Sequence, residues 1–270
     1  MKATVLVDNI EHNGIKGEWG LSIFIEYGEK KILLDTGASG LFAENAKKLG
    51  ISVEEADYGV LSHAHYDHSD GMRRFFAINQ QAKFYLQDSC GEDCYAKKWI
   101  FRRYIGIEKG ILGEFGGRIV RVSGDYQLSP GVRLIPHKSP RLSEIGARER
   151  MYRKEGLRLR PDDFSHEQSL VFDTPEGLVI FNSCSHGGAD NIIREVAACC
   201  PGKRALALIG GFHLFNKSEE FVRKLAKEIQ KTGIQAVYTG HCTGERAFGI
   251  LKEELKDRAV QLKAGLVMEF

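Results

Sequence analysis

Four metal-competent side chains fall within six residues at His63-Ala64-His65-Tyr66-Asp67-His68. Imidazole and carboxylate suit Zn²⁺, iron or Mn²⁺, and at this density one short loop can serve two ions. No packing requirement produces such a run. Side chains of an extended segment alternate with period two, so His63 and His65 point the same way and can bind one ion together. Asp67 and His68, one short turn later, can face a second.

The flanking residues place this cluster at a sheet edge. Tyr58-Gly59-Val60-Leu61 reads as a short buried strand, and Gly71 with Met72-Arg73-Arg74-Phe75-Phe76 reads as a helix start. The ligands then lie beyond the C-terminal end of a strand, where open α/β sheets put their sites. Before the cluster, strands are predicted at 3–8, 21–27 and 30–34, and a helix at 40–49 closed by Gly50. After it come a strand at 83–87, a helix near 89–98 with Cys90 and Cys94 on one face, and a strand pair within 118–135. The segment 141–158 reads as helical, and 168–173 with 178–182 as a hairpin. The chain then alternates: helix 191–200 capped by Asp190, strand 205–209, helix 219–231 capped by Ser218, strand 236–239, helix 245–255 and a final strand pair in 260–270. Phe221, Leu225 and Ile229 mark the buried face of the 219–231 helix. Such an order suits two packed sheets with helices outside.

The chain has 270 residues, 43% of them hydrophobic, and a net charge of +2. That describes an ordinary soluble globular protein. It argues against a dedicated nucleic-acid binder, which carries a strong basic excess. No run approaches a membrane span of about 20 apolar residues. Met1 to Asp8 reads as a strand and not a signal peptide, which makes a cytoplasmic location the expectation. Six cysteines are then thiols or ligands rather than disulfides. Cys90, Cys94, Cys199 and Cys200 read as small apolar fillers. One basic stretch, from Arg141 to Arg160, reads either as a solvated helical face or as an anion-attracting lid at about 137–163 over a single domain spanning 1–270.

The His-x-His-x-Asp-His run after a strand resembles the signature of the metallo-β-lactamase superfamily. Lys31-Ile32-Leu33-Leu34-Asp35-Thr36-Gly37 is similar to that family's first motif, in which the aspartate orients the metal loop. The resemblance implies an α/β fold, an αββα sandwich of two mixed β-sheets flanked by helices. It implies two Zn²⁺ ions, with iron or Mn²⁺ as alternatives. His166, before the strand that starts Gln168-Ser169-Leu170, resembles the third-motif ligand, and His241 in Gly240-His241-Cys242 the last. Most relatives carry a bridging aspartate where this chain has Cys184, so the implied metal set is His63, His65, Asp67, His68, His166, Cys184 and His241. Cys184 is also readable as a buried thiol. His186 could bind metal, support a ligand or meet substrate. His213, after Gly210-Gly211, reads as a substrate-facing acid. Asp67, His213 and His186 are thus the expected catalytic residues, while His137 and His12 read as structural or surface residues. The phrases Ser183-Cys184-Ser185-His186-Gly187-Gly188, Gly210-Gly211-Phe212-His213-Leu214 and Gly240-His241-Cys242-Thr243-Gly244 resemble the superfamily branch named for 7,8-dihydropterin-6-methyl-4-(β-D-ribofuranosyl)-aminobenzene-5′-phosphate synthase.

The first expected function is a metal-dependent hydrolase, using metal-bound hydroxide on an ester, lactone or phosphoester of an anionic small molecule. The second is the branch's transfer, joining a dihydropterin-methyl diphosphate to a ribofuranosyl-aminobenzene phosphate, with Trp99, Phe101, Tyr104 or Tyr152 available to stack a pterin. The third is a non-catalytic, metal-containing binding module. The expected partner is the small-molecule substrate, with neither nucleic acid nor membrane; self-association is left open.

Overall fold

The computed structural model describes residues 1–270. Two seven-stranded mixed sheets face each other. The first runs, in spatial order, Val267–Glu269, Lys2–Val7, Ser22–Tyr27, Lys30–Leu34, Tyr58–Val60, Lys83–Gln87 and Ile119–Val122. The second runs Ala259–Gln261, Ala236–Thr239, Ala205–Gly211, Gly177–Cys184, Gln168–Thr174, Val132–Pro136 and Tyr126–Ser129.

Strand alternation explains the layering. Ile23 and Ile25 face the inter-sheet core with Leu170, Phe172, Val179 and Phe181, whereas Phe24 faces outward onto the helices Leu41–Lys48 and Met72–Ile78. In the second sheet, Val179 and Phe181 point inward while Leu178 and Ile180 join Ile192, Val222 and Leu251 on the outer helices. Period-two side chains that are apolar on both faces require cover on both sides. The helices Ala189–Cys199, Glu219–Lys231 and Glu245–Leu255 supply it on the second sheet. This is the expected αββα sandwich.

Several elements differ from the sequence reading. No helix covers 89–98: Cys94–Lys98 is a strand that pairs with Phe101–Tyr104 and with Met151–Glu155. The basic segment is helical only over Leu142–Glu149; Met151–Glu155 and Arg158–Pro161 then form a hairpin. These pieces make a separate four-stranded sheet. The last two strands are not a pair, because Ala259–Gln261 joins the second sheet and Val267–Glu269 the first. Asp190 does not cap its helix; Gly188 holds the cap position, and Asp190 pairs with Arg194 one turn on. Phe221 is 40% exposed, and the buried face of its helix is Val222, Leu225, Ala226 and Ile229. Ser218 does cap that helix, accepting from the Phe221 amide. No helix is long and apolar enough to cross a membrane.

Candidate metal centre

The strand Tyr58–Val60 ends in the first sheet, and the loop beyond it is held down by Asp35. That residue adopts φ 56°, in the left-handed region, at the end of the neighbouring strand Lys30–Leu34. Its carboxylate accepts from the Ser62 amide (2.7 Å) and the Ser62 hydroxyl (2.7 Å). It also faces His68 Nδ1 at 2.8 Å. A hydrogen bond therefore fixes the His68 proton on Nδ1 and leaves Nε2 bare. The Ser62 hydroxyl gives its hydrogen to Asp35, so at 2.8 Å it accepts from His63 Nδ1. His63 Nε2 is thereby left bare as well, and it has no partner.

The same device recurs on the second sheet. His186 follows the strand Gly177–Cys184, donates from Nδ1 to Glu167 Oε2 at 2.8 Å, and has an unpartnered Nε2. The fully buried Phe164 stacks on its ring at 4.4 Å and 8°. His241, past the strand Ala236–Thr239, donates from Nδ1 to Asn9 Oδ1 at 3.1 Å. Its backbone amide donates to Asp8 Oδ2. His65 Nε2 is buried without a partner.

The bare nitrogens converge. Ring nitrogens of His63, His65 and His186 lie within 4.8 Å of one another, as do ligand atoms of His63, His68 and Cys184. His68 Nε2 and His241 Nε2 stand 3.2 Å apart. At that distance either a proton or a metal ion must lie between the two nitrogens. The orphaned, buried nitrogens and this pair are what a site built for metal ions shows. Burial, reinforced by the neighbouring imidazoles, pushes His63 and His65 well below the ordinary histidine value. They stay neutral and able to ligate. Burial opposes a charge on His241, but the Cys242 sulfur and the Asp67 and Asp8 carboxylates carry it up to about 9. A proton there stands in for a metal's charge.

The remaining expected residues divide. Asp67 Oδ2 lies 3.4 Å from His241 Nε2 and also accepts from Trp19 Nε1 at 2.9 Å. Cys184 Sγ lies 3.8 Å from His68 Nε2 and 2.9 Å from Cys242 Sγ. His213 sits beside His186, ring centroids 4.8 Å apart, with Nδ1 unpartnered. His166 is placed differently. Its Nδ1 accepts from the Ala64 amide at 3.2 Å, so the Nε2 hydrogen goes to Asp162 Oδ2 at 3.1 Å. Both its nitrogens have protein partners, and His186 is the histidine that presents a bare one.

Sequence reasoning missed Cys242, Glu167, Asp162, Phe164 and Trp19. It read Cys94 as filler, yet Cys94 Sγ lies 3.8 Å from His166 Nε2 and groups with His65, Asp162 and His166. Of the two readings offered for His137, the structural one holds: its side chain is buried between Glu167 (2.5 Å) and Glu195 (3.2 Å). His186 and His213 open onto a cavity of about 140 Å³. The turn Ser185 to Gly188, Arg148 and Lys217 also line it. Glu149, at the end of the helix Leu142–Glu149, is held there by Lys217 and by Asn216 at 3.1 Å. Part of the basic segment therefore lies against the site. Trp99 and Phe101 stand away from protein at 83% and 72% exposure.

Comparison with known proteins agrees with this architecture. The sequence pattern of the metallo-β-lactamase superfamily matches residues 20–188. A Methanocaldococcus jannaschii protein named 7,8-dihydropterin-6-methyl-4-(β-D-ribofuranosyl)-aminobenzene-5′-phosphate synthase is 29% identical, over 93% of this chain and 90% of its own. The crystal structure of Tm1679, described as a metal-dependent hydrolase of the β-lactamase superfamily, superposes with a TM-score of 0.84 at 29% identity, covering 100% of this chain and 99% of that one. Zinc-bound PqqB from Methylobacterium extorquens shares the fold at 11% identity, with a TM-score of 0.56 and full coverage of both chains (100% each).

Proposed function

Since this chain belongs to the metallo-β-lactamase superfamily, we propose that it is a metal-dependent hydrolase of a small anionic ester, lactone or phosphoester, with two divalent ions, Zn²⁺ foremost. One observation carries the reading: His63, His68, His186 and His241 each have Nδ1 tied to a protein partner and Nε2 turned toward the others. Ions held there supply Lewis acidity and activate water at neutral pH. His63, His65 and His186 would hold one ion, and His68 and His241 the other, with Cys184 between the two sets and Asp67 at the edge. Asp35 and Glu167 keep the imidazoles in the ligating tautomer.

The cavity beside His186 and His213 would seat the substrate. His213 Nδ1 is free to hydrogen-bond the reacting group or its leaving oxygen. Lys217 and Arg148 favour an anionic substituent. Glu149 pairs with both and offsets one of the two charges.

The M. jannaschii relative supports a second reading, a transferase that uses the same centre while excluding water. One experiment separates them. Protein stripped with a chelator and reloaded with Zn²⁺ is assayed on a panel of phosphoesters, lactones and carboxylic esters. Hydrolysis that is lost on stripping and restored on reloading is expected, with about two ions bound by elemental analysis. A metal-loaded protein inert on the whole panel, but joining a dihydropterin-methyl diphosphate to an aminobenzene riboside phosphate, supports the transferase. A protein that retains no metal overturns both.

A further inference from the structure

We propose that the second ion is held by a two-histidine, two-thiolate set: His68, His241, Cys184 and Cys242. This rests on the metal-centre reading above and deepens it, because a dithiolate set selects a thiophilic ion such as Zn²⁺ over Mn²⁺ or Mg²⁺.

The two sulfurs arrive from different elements. Cys184 is the last residue of the strand Gly177–Cys184, and Cys242 lies in the turn His241–Thr243. The sulfurs lie 2.9 Å apart, with Cys184 Sγ 3.8 Å from His68 Nε2. Ligand atoms of Cys184, His241 and Cys242 all lie within 4.8 Å of one another. A buried thiol that only filled space would face carbon. Cys184 Sγ faces His68 Nε2, and Cys242 Sγ groups with a ring nitrogen of His241.

The surroundings of Cys242 are built for it. A Cβ at residue 211 would stand 2.4 Å from Cys242 Sγ, so only glycine there lets the sulfur in. The Cys242 carbonyl accepts from the Leu214 and Phe215 amides, which fixes the residue. The His213 amide donates to Cys242 Sγ at 3.3 Å, the kind of outer contact that orients and stabilises a ligating thiolate. Asp67, by contrast, is engaged by Trp19. Its Oδ2 lies 3.4 Å from His241 Nε2, at the edge of the set.

Cobalt(II) tests this without reference to activity. Reduced, metal-free protein is titrated with Co²⁺ and its absorption followed. The expected result is an intense near-ultraviolet thiolate-to-cobalt charge-transfer band, reduced by roughly half in Cys242→Ser and in Cys184→Ser and absent in the double variant. Alkylation followed by peptide mapping is the second measurement, made on wild-type protein so that it needs no variant to fold. Loaded metal should protect Cys184 and Cys242 and leave Cys199 reactive. Cobalt d–d bands with no charge-transfer band, a band unchanged in Cys242→Ser, or a Cys242 that alkylates equally with and without metal would overturn the thiolate set while leaving the metal centre standing. A protein that takes up no cobalt would overturn the metal centre, and this inference with it.

Discussion

At His186 the proton sits on Nδ1 because Glu167 accepts it, and Nε2 is left facing His63 and His65. At His166 the order is reversed, because the Ala64 amide claims Nδ1 and Asp162 claims the Nε2 hydrogen. Which nitrogen each imidazole leaves bare is thus decided by partners outside the ring. Burial alone would raise the Glu167 carboxyl, but His137 and His186 hold it well below the usual carboxylate range. It is a buried, ionised acceptor. Glu167→Gln keeps the shape and removes the charge that orients the ring, so metal affinity should fall about 10- to 100-fold. A competition titration against a chelator of known affinity measures this; unchanged affinity would show that His186 does not bind metal. The motif His63 to His68 was legible as a candidate metal loop because of its density, and the structure gathers its side chains into buried groups of potential ligand atoms. The different hydrogen-bond settings of His166 and His186 were not legible, since both are histidines near strand ends and the tautomer depends on residues such as Glu167 and Asp162 that no motif marks.

The strands and turns that carry the ligands were read well where their signals are local. The hairpin of Gln168–Thr174 and Gly177–Cys184, and the helix Glu219–Lys231 between Ser218 and Gly233, lie where turn residues and caps put them. Cys94–Lys98 was misread because Ala and Lys favour helix; it forms a hairpin with Phe101–Tyr104 and pairs on its other edge with Met151–Glu155, more than 50 residues away. Long-range pairing overrides weak propensity. The paired glycines at 210 and 211 signalled close approach without saying to what. Gly210, at φ 146°, lies where a Cβ would strike the Asn182 carbonyl at 1.9 Å. Its neighbour makes room for Cys242. Gly211→Ala should therefore push the turn His241–Thr243 outward, destabilise the fold by about 1–3 kcal/mol, and weaken metal retention. Urea denaturation with elemental analysis of the same sample checks both effects; a variant with native stability would show that the turn can yield.

The candidate ligands come from both sheets, so the buried cluster sits where the two halves of the sandwich meet. Behind it runs a buried row, His186, Glu167, His137 and Glu195, from the centre toward the surface. Burial would lower His137, but Glu167 and Glu195 outweigh it and raise it from 6.5 to about 9. Because the folded value is the higher one, its contribution to stability is complete below about pH 6.5 and is lost as pH rises through about 9. The loss is up to about 3 kcal/mol. The urea midpoint of the wild type should fall across that window, while His137→Gln should start lower and stay flatter. Parallel curves would remove His137 from the account.

The chain has two tryptophans, and they report on different things. Trp19 gives its indole hydrogen to Asp67 and lies 5.2 Å from the His241 ring, whereas Trp99 stands in solvent at the tip joining Cys94–Lys98 to Phe101–Tyr104. The molecule thus carries its own optical gauge. An ion arriving beside Asp67 and His241 changes the electric field at the Trp19 indole and leaves Trp99 as it was. With Trp99→Phe as the silent background, emission from Trp19 alone should follow filling of the site in real time, ion by ion, before any substrate is known.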